Sequence, residues 1–271
     1  MKKSPFTVIY EDSRLIAVNK ASGIAAGGER WDPGAPRLDR LILQNSADPA
    51  LPDSPRAQAP LFTVHRIDKE TSGLVIFARD KANQRLLAAA FEKRRVEKTY
   101  TAVIHGRPSW PGGETFCDLP LVPEGNKKHM TIVDRYRGKP SLTRFTLILS
   151  RGNYSVVEAR PETGRTHQIR VHLAALGHSI VCDPLYGKNS RGGGDGGVYL
   201  SSFKRNWRGD ALEERPLLSR LGLHAARLVL PPGSFGAEKE DGNGGADPPL
   251  ILEAPLPRDM AALFRQMERG A

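Results

Sequence analysis

Strand-like and helical segments alternate along this chain in no regular order, which predicts a mixed fold of the α+β class (α/β mixed). Three observations carry the prediction. The strand–helix–strand rhythm of a doubly wound parallel sheet is missing. Short runs of strand character bounded by turn residues recur, including a pair, Thr143–Leu149 and Tyr154–Ala159, that meets at Arg151-Gly152-Asn153 as a hairpin. Finally, 271 residues without an internal repeat or a boundary that would split them read as one domain over 1–271, long enough for a substantial core.

The elements follow in order. Strand character begins by Phe6 or Thr7, and Leu15–Val18 completes an opening pair. Leu61–Val64 and Leu74–Ala78 are the next apolar runs, with a polar segment between them. Lys81–Arg95 is the clearest helix: Leu86, Leu87, Ala90 and Phe91 form its apolar stripe, Asp80 is its N-cap, and no Gly or Pro interrupts it. Strands follow near 98–105 and 115–121. Thr166–Leu176 reads as a second helix, with Ile169, Leu173 and Leu176 on one side and Gly177 as its C′ stop. Strands near 223–230 and 249–254 precede a basic amphipathic helix, Asp259–Arg269. Two Gly-rich stretches, near 188–198 and 231–249, bury little apolar surface and read as mobile loops.

Charge narrows the partners. Lys and Arg number 40 against 30 Asp and Glu, a net +10. Such an excess favours a polyanion, because each neutralised phosphate releases counterions. The basic density is greatest at Lys127, Lys128, His129, Arg135, Arg137, Lys139 and Arg144, which reads as an RNA-facing surface, with an ordinary solvated face as its alternative. Two cysteines, Cys117 and Cys182, are too few for a disulfide framework and point to a reducing compartment. The Met-Lys-Lys-Ser-Pro start has no apolar stretch behind it, and nowhere do 18 apolar residues run together. The expectation is a cytoplasmic protein without a membrane segment.

Residues 65–74, His-Arg-Ile-Asp-Lys-Glu-Thr-Ser-Gly-Leu, place the carboxylate of Asp68 in a polar turn between two strand runs, with Arg66 just before it. Thr71 and Ser72 offer hydroxyls to nearby backbone, and Gly73 is at liberty to take positive φ. Taken alone, such an Asp is simply a turn former. The segment, however, is similar to HRLDxxTSGL, the catalytic motif of the pseudouridine synthases of the ribosomal large-subunit type. The resemblance extends in family order from about residue 8 to about residue 232. Tyr10-Glu11-Asp12 and Leu15 to Gly23 resemble the opening YEDxxLLVVNKPxG, with Ala21 where the family has proline. Lys98 to Val103 resembles KxYxAxV, Glu162 to Leu173 contains GRxHQxR, and Leu223-His224-Ala225 with Leu228 resembles LHAxxL.

The resemblance implies the family's single mixed, largely antiparallel central sheet with peripheral helices, here without the small N-terminal RNA-binding domain that many relatives carry. It implies an RNA uridine isomerase acting on ribosomal or transfer RNA. Nothing in the sequence demands more than a monomer, and no obligate protein partner is expected. The resemblance also assigns roles. Asp68 matches the attacking carboxylate, Tyr100 the tyrosine that stacks on the base and assists proton movement at C5, and Arg170 the arginine that keeps the aspartate ionised. Arg66 matches the arginine that helps displace the target nucleotide from its stack, as an enzyme acting on a stacked base requires. Arg165, near a helix N-terminus, is a candidate phosphate ligand, with structural use as its alternative. Breaking the glycosidic bond, turning the uracil and joining C5 to C1′ exchanges no atoms or electrons with another reagent, so no cofactor or metal is called for.

Other motifs are weak. His167 and His172 are five apart and do not share the helix face that zinc ligands at i and i+4 need. Gly187-Lys188-Asn189 imitates the end of a phosphate loop but lacks its Ser or Thr. Two rival functions remain in view: a non-catalytic RNA-binding or RNA-chaperone protein on the same fold, and a hydrolytic glycosidase. The glycosidase would need a second carboxylate, for which Glu70, two residues from Asp68, is the nearest candidate.

Overall fold

The computed structural model describes residues 4–28, 34, 36–46, 60–125, 130–187, 197–204, 207–210, 213–234 and 248–269. Lys127, Lys128 and most of the two Gly-rich stretches lie outside the described residues. The chain forms two compact units: Met1–Lys98 with Ala225–Pro255, and Thr99–His224 with Leu256–Ala271. Strand pairing is largely antiparallel and mixed with four helices among the described residues, as the sequence predicts.

The first unit is built on β1 (Phe6–Glu11), β2 (Leu15–Lys20) and β4 (Ser72–Ala78), adjacent and antiparallel. The short β3 (Phe62–Thr63) also pairs with β4, and β11 (Leu223–Leu230) neighbours β4 and pairs with β12 (Leu250–Glu253). β4 is buried along its whole length, which accounts for its unbroken apolar run, Leu74 to Ala78. Gly73 is the residue that lets β11 lie so close. Its φ is 116°, and a Cβ there would come within 2.2 Å of the Ala225 carbonyl oxygen. Leu15, Ala17, Leu74, Ile76, Leu87, Ala90, Leu228 and Leu252 form the unit's core.

Among the described residues two helices belong to this unit. α1 (Leu38–Ser46) was not anticipated from the sequence, although Leu38 and Ile42, four apart, are both buried. α2 (Lys81–Glu92) begins where expected, with Asp80 Oδ1 accepting the Asn83 N–H at 2.7 Å. It stops three residues short of the expected Arg95. Arg94 takes the left-handed conformation at φ 57°, and the Arg94 and Arg95 N–H groups return to the carbonyls of Phe91 and Ala90. This is the Schellman closure that glycine usually provides. Leu86, expected in the apolar stripe, is exposed, because Leu87 and Ala90 already fill the face on β4.

The second unit carries β5 (Glu97–His105, from Thr99 on), then β10 (Tyr154–Pro161), β9 (Thr143–Arg151) and β6 (Glu114–Cys117) in antiparallel succession. The β9–β10 hairpin turns at Gly152, φ 58°, as expected. The single strand expected over 115–121 is two. Pro120 has no N–H to give a ladder, so β6 ends at Cys117 and a separate hairpin, β7 (Leu121–Val122) with β8 (Ile132–Val133), begins beyond it. α3 (Gln168–Ala175) packs Ile169 and Leu173 on Ala102, Phe145, Val157 and Ala159. Gly177, φ 83°, closes it as predicted. α4 (Arg258–Glu268) buries Met260, Leu263 and Met267 in a second cluster with Val103 and Val156. Among the described residues no helix is long and apolar enough to cross a membrane.

Candidate active site

Asp68 lies in the first unit, in the irregular segment between β3 and β4, where the Thr71 N–H donates to its carbonyl at 3.1 Å and closes a turn. The residues after β2 clamp this turn from outside. Lys20 is fully buried, and its Nζ donates to the carbonyls of Ala21 and Lys69, each at 3.0 Å. The Gly23 N–H donates to the same Lys69 carbonyl at 2.9 Å, and Ser22 Oγ to the Glu70 carbonyl at 2.7 Å. The backbone of both residues following Asp68 is thereby fixed by groups other than its carboxylate. Ala21, where the family has proline, does not disturb the clamp, since its carbonyl is one of the Lys20 acceptors. Asp68 is half-buried and Arg66 exposed.

The other end of the turn is held by His65. Its Nε2 accepts the Ile76 N–H at 3.0 Å, and its ring stacks on Phe91 of α2 with centroids 4.4 Å apart. Burial, with Lys98 as the second cause, pushes the imidazole down to about 3. The ring is therefore neutral, as an accepting Nε2 requires. Burial also brings Lys98 down to about 8, with Arg94 adding repulsion.

The second unit holds Tyr100, Arg165 and Arg170. Tyr100 is on β5, opposite Ala159 of β10, half-buried against the core that α3 covers. Arg170 lies on the buried side of α3 and makes a bidentate pair with Asp183, Nε to Oδ2 and Nη2 to Oδ1, both 2.8 Å. The two side chains are 3% and 0% exposed. The Arg170 guanidinium also sits over the Tyr186 ring, 5.1 Å from its centroid. Asp183 Oδ1 further accepts the N–H groups of Leu185 and Tyr186 at 2.9 and 3.1 Å. The Tyr186 hydroxyl accepts the Thr131 N–H at 3.0 Å and lies 2.9 Å from His167 Nδ1. Burial raises its pKa.

Asp183 and Tyr186 were missed in the sequence. The signal was present as an Asp and a Tyr three apart just before Gly187, at the place that offered only a poor imitation of a phosphate loop. In the structure that turn closes on itself, with the Gly187 N–H donating to the Asp183 carbonyl at 3.1 Å, and it serves Arg170.

The rest of the 162–173 motif stitches the start of α3 in place. Gln168 Oε1 accepts from Thr163 Oγ1 and the Arg165 N–H, while its Nε2 donates to the Leu142 carbonyl and Thr143 Oγ1. His172 bridges Thr143 Oγ1 at 2.9 Å and the Leu119 carbonyl at 3.0 Å, and burial lowers its pKa. Arg165 spends Nε and Nη2 on the Pro140 carbonyl, at 3.2 and 3.1 Å, so it has the structural use weighed against a phosphate contact. Lys127 and Lys128 lie outside the described residues.

Comparison with known proteins gives the family. The family model described as RNA pseudouridylate synthase matches residues 14–175. The ribosomal large subunit pseudouridine synthase D of Zymomonas mobilis is 31% identical over 268 residues, 97% of this chain and 73% of that protein. The protein of the same name in Borreliella burgdorferi is 36% identical over 188 residues, 68% of this chain and 55% of its own length. Among solved structures, Human RNA Pseudouridylate Synthase Domain Containing 4 shares the fold at a TM-score of 0.66 and 23% identity, covering 96% of this chain and 92% of that one. The family match and these relatives define the class as RNA-modifying isomerases. The chain belongs to the RNA pseudouridylate synthase family.

Proposed function

We propose that this protein converts particular uridines of structured ribosomal or transfer RNA to pseudouridine, with Asp68 as the attacking carboxylate. The observation that carries the reading is the clamp on the Asp68 turn: Lys20, Ser22 and Gly23 fix the backbone that follows the carboxylate. A nucleophile held this way loses little freedom when it meets its target. Asp68 attacks the uracil or its ribose. The N1–C1′ bond breaks, the uracil turns, C5 joins C1′, and the bond to Asp68 breaks to return the free carboxylate. The C5 proton leaves and N1 ends with a hydrogen. Tyr100 stacks on the base and assists that proton movement, and Arg170 keeps Asp68 ionised in the reacting complex, where a guanidinium cannot lose its charge.

Asp183 and Tyr186 suit Arg170 to this role, because they hold the guanidinium by charge, by two parallel hydrogen bonds and by the ring face. Arg66, Lys127, Lys128 and Arg165 are assigned to RNA contacts, with Arg66 displacing the target base. The names of the relatives favour ribosomal RNA of the large subunit as the first substrate to try. The whole chain, 1–271, acts as one catalytic domain, a monomer in the cytoplasm, without a cofactor.

Pseudouridine mapping of total RNA from cells with and without the gene tests the substrate. One or a few uridines should lose their pseudouridine signal in its absence. An unchanged map, with RNA binding retained by the purified protein, would favour the non-catalytic RNA-binding alternative.

A further inference from the structure

Among the described residues the large hydrophobic side chains left exposed include two aromatics, Tyr136 at 99% and Phe116 at 59%, and both lie in the second unit beside arginines. Tyr136 stands in a rigid turn. Asp134 Oδ1 accepts the N–H groups of Tyr136 and Arg137, both at 2.9 Å, and Oδ2 accepts from Arg137 Nε at 2.8 Å. The turn is pinned where Leu121 and Lys139 exchange both backbone bonds, at 3.0 and 2.9 Å, and the Asp134 N–H donates to the Pro120 carbonyl. Gly138 admits no side chain, since a Cβ would come within 2.3 Å of the Asp134 carbonyl oxygen. The turn therefore presents Tyr136 between exposed Arg135 and Arg137, with exposed Lys139 following, and consumes its single carboxylate internally.

Phe116 is on the edge strand β6, directly opposite Arg144 of β9, which in turn faces Arg160 of β10. This makes an aromatic–arginine–arginine row across three strands. Arg144 and Arg160 keep Glu162 and Glu158 at 2.8 and 2.7 Å. Ion pairs this exposed hold little energy, and a phosphate can replace the carboxylate. Aromatic faces beside guanidinium groups are the elements from which unpaired bases are recognised: the rings stack on any base, and the cations follow the backbone.

We infer that Tyr136 and Phe116 are stacking platforms for unpaired nucleobases of RNA, separate from the group that performs the isomerisation. The inference rests on the reading of the chain as an RNA enzyme. A rigid mount matters here, because a backbone that is already ordered loses little freedom when a base settles on the ring it carries.

The test is a binding titration of the full chain with a fluorescein-labelled single-stranded oligouridine RNA at several salt concentrations. Tyr136→Ala and Phe116→Ala should each weaken binding by about 5- to 150-fold, the range for one stacked base. The slope of log affinity against log salt should stay as in the native chain, because no phosphate contact is removed. Tyr136→Phe should bind nearly as the native protein, and Tyr136→Trp should show tryptophan emission quenched as RNA is added. Arg135→Ala and Arg144→Ala should flatten the salt slope instead. Unchanged affinity in both alanine variants, or Tyr136→Leu binding as well as the native chain, would overturn the inference and point to an apolar protein contact. A parallel Asp68→Asn arm keeps the two readings apart. If that variant is inactive while the alanine variants bind normally, the platforms fail alone. If it still isomerises uridine while the alanine variants bind weakly, the catalytic reading fails alone.

Discussion

His65 shows how far a single side chain can be read. Its place at the head of the decapeptide was visible in the sequence, but its partner was not: spacing does not tell which N–H a half-buried imidazole accepts. The structure gives it a pH signature. Its folded-state pKa is pushed down to about 3 from an ordinary 6.5, so the unfolded chain binds the proton more readily. The stability this neutral ring contributes is complete above about pH 6.5 and is lost progressively as pH falls toward 3. His65→Gln, which keeps an acceptor and cannot protonate, should be less acid-sensitive. Thermal unfolding measured from pH 7 to 4 should show the native chain losing ground to the variant, and a pH-independent difference would contradict this. Arg66 is the opposite case, exposed and with a role that only substrate reveals. Arg66→Ala should lower kcat on folded RNA and much less on a short unstructured strand, where little stacking must be overcome. Equal losses on both would withdraw the base-displacing role.

At the scale of elements, the two Schellman closures mark what a sequence discloses. Gly177 announced the end of α3, whereas Arg94 ended α2 unannounced, because nothing in an arginine signals a left-handed residue. Pro120 divided an expected strand for a reason that its missing N–H supplies, and α1 was short enough for its two buried apolar residues to pass unnoticed. Arg94→Gly should stabilise the chain by about 1 kcal/mol in denaturant unfolding, since glycine takes the left-handed region without the Cβ penalty.

The Arg170–Asp183 pair carries a larger consequence. Arg170→Ala leaves Asp183, at 0% exposure, as a buried uncompensated carboxylate, and should cost about 3–5 kcal/mol. Adding Asp183→Ala should restore part of that loss, because the two share one interaction. Strictly additive losses would mean that the pair does not act as one unit. Restored stability without restored turnover would separate the structural use of the pair from the part in the reaction proposed for Arg170.

For the molecule as a whole, the family, the fold class and the position of Asp68 were legible, because long motifs in a fixed order leave little room for coincidence. What surrounds those motifs was not legible. The Lys20 clamp and the Asp183–Tyr186 cradle join residues 49 and 13 positions apart, and spacing cannot predict such contacts. The basic excess of +10 predicts RNA affinity that falls steeply with salt. Lys127 and Lys128 replaced by Ala should flatten that slope and raise KM with kcat nearly unchanged, as the loss of uniform binding does. A kcat that falls in step with kcat/KM would place those lysines in the reaction itself.

The central claim is that the carboxylate on the clamped turn performs the isomerisation. Tritium release from RNA labelled at uracil C5, measured with native protein and with Asp68→Asn, tests it most directly. The variant should fold and bind RNA yet lose essentially all turnover, because an amide of the same shape cannot attack. Activity within tenfold of the native chain would remove Asp68 from the mechanism.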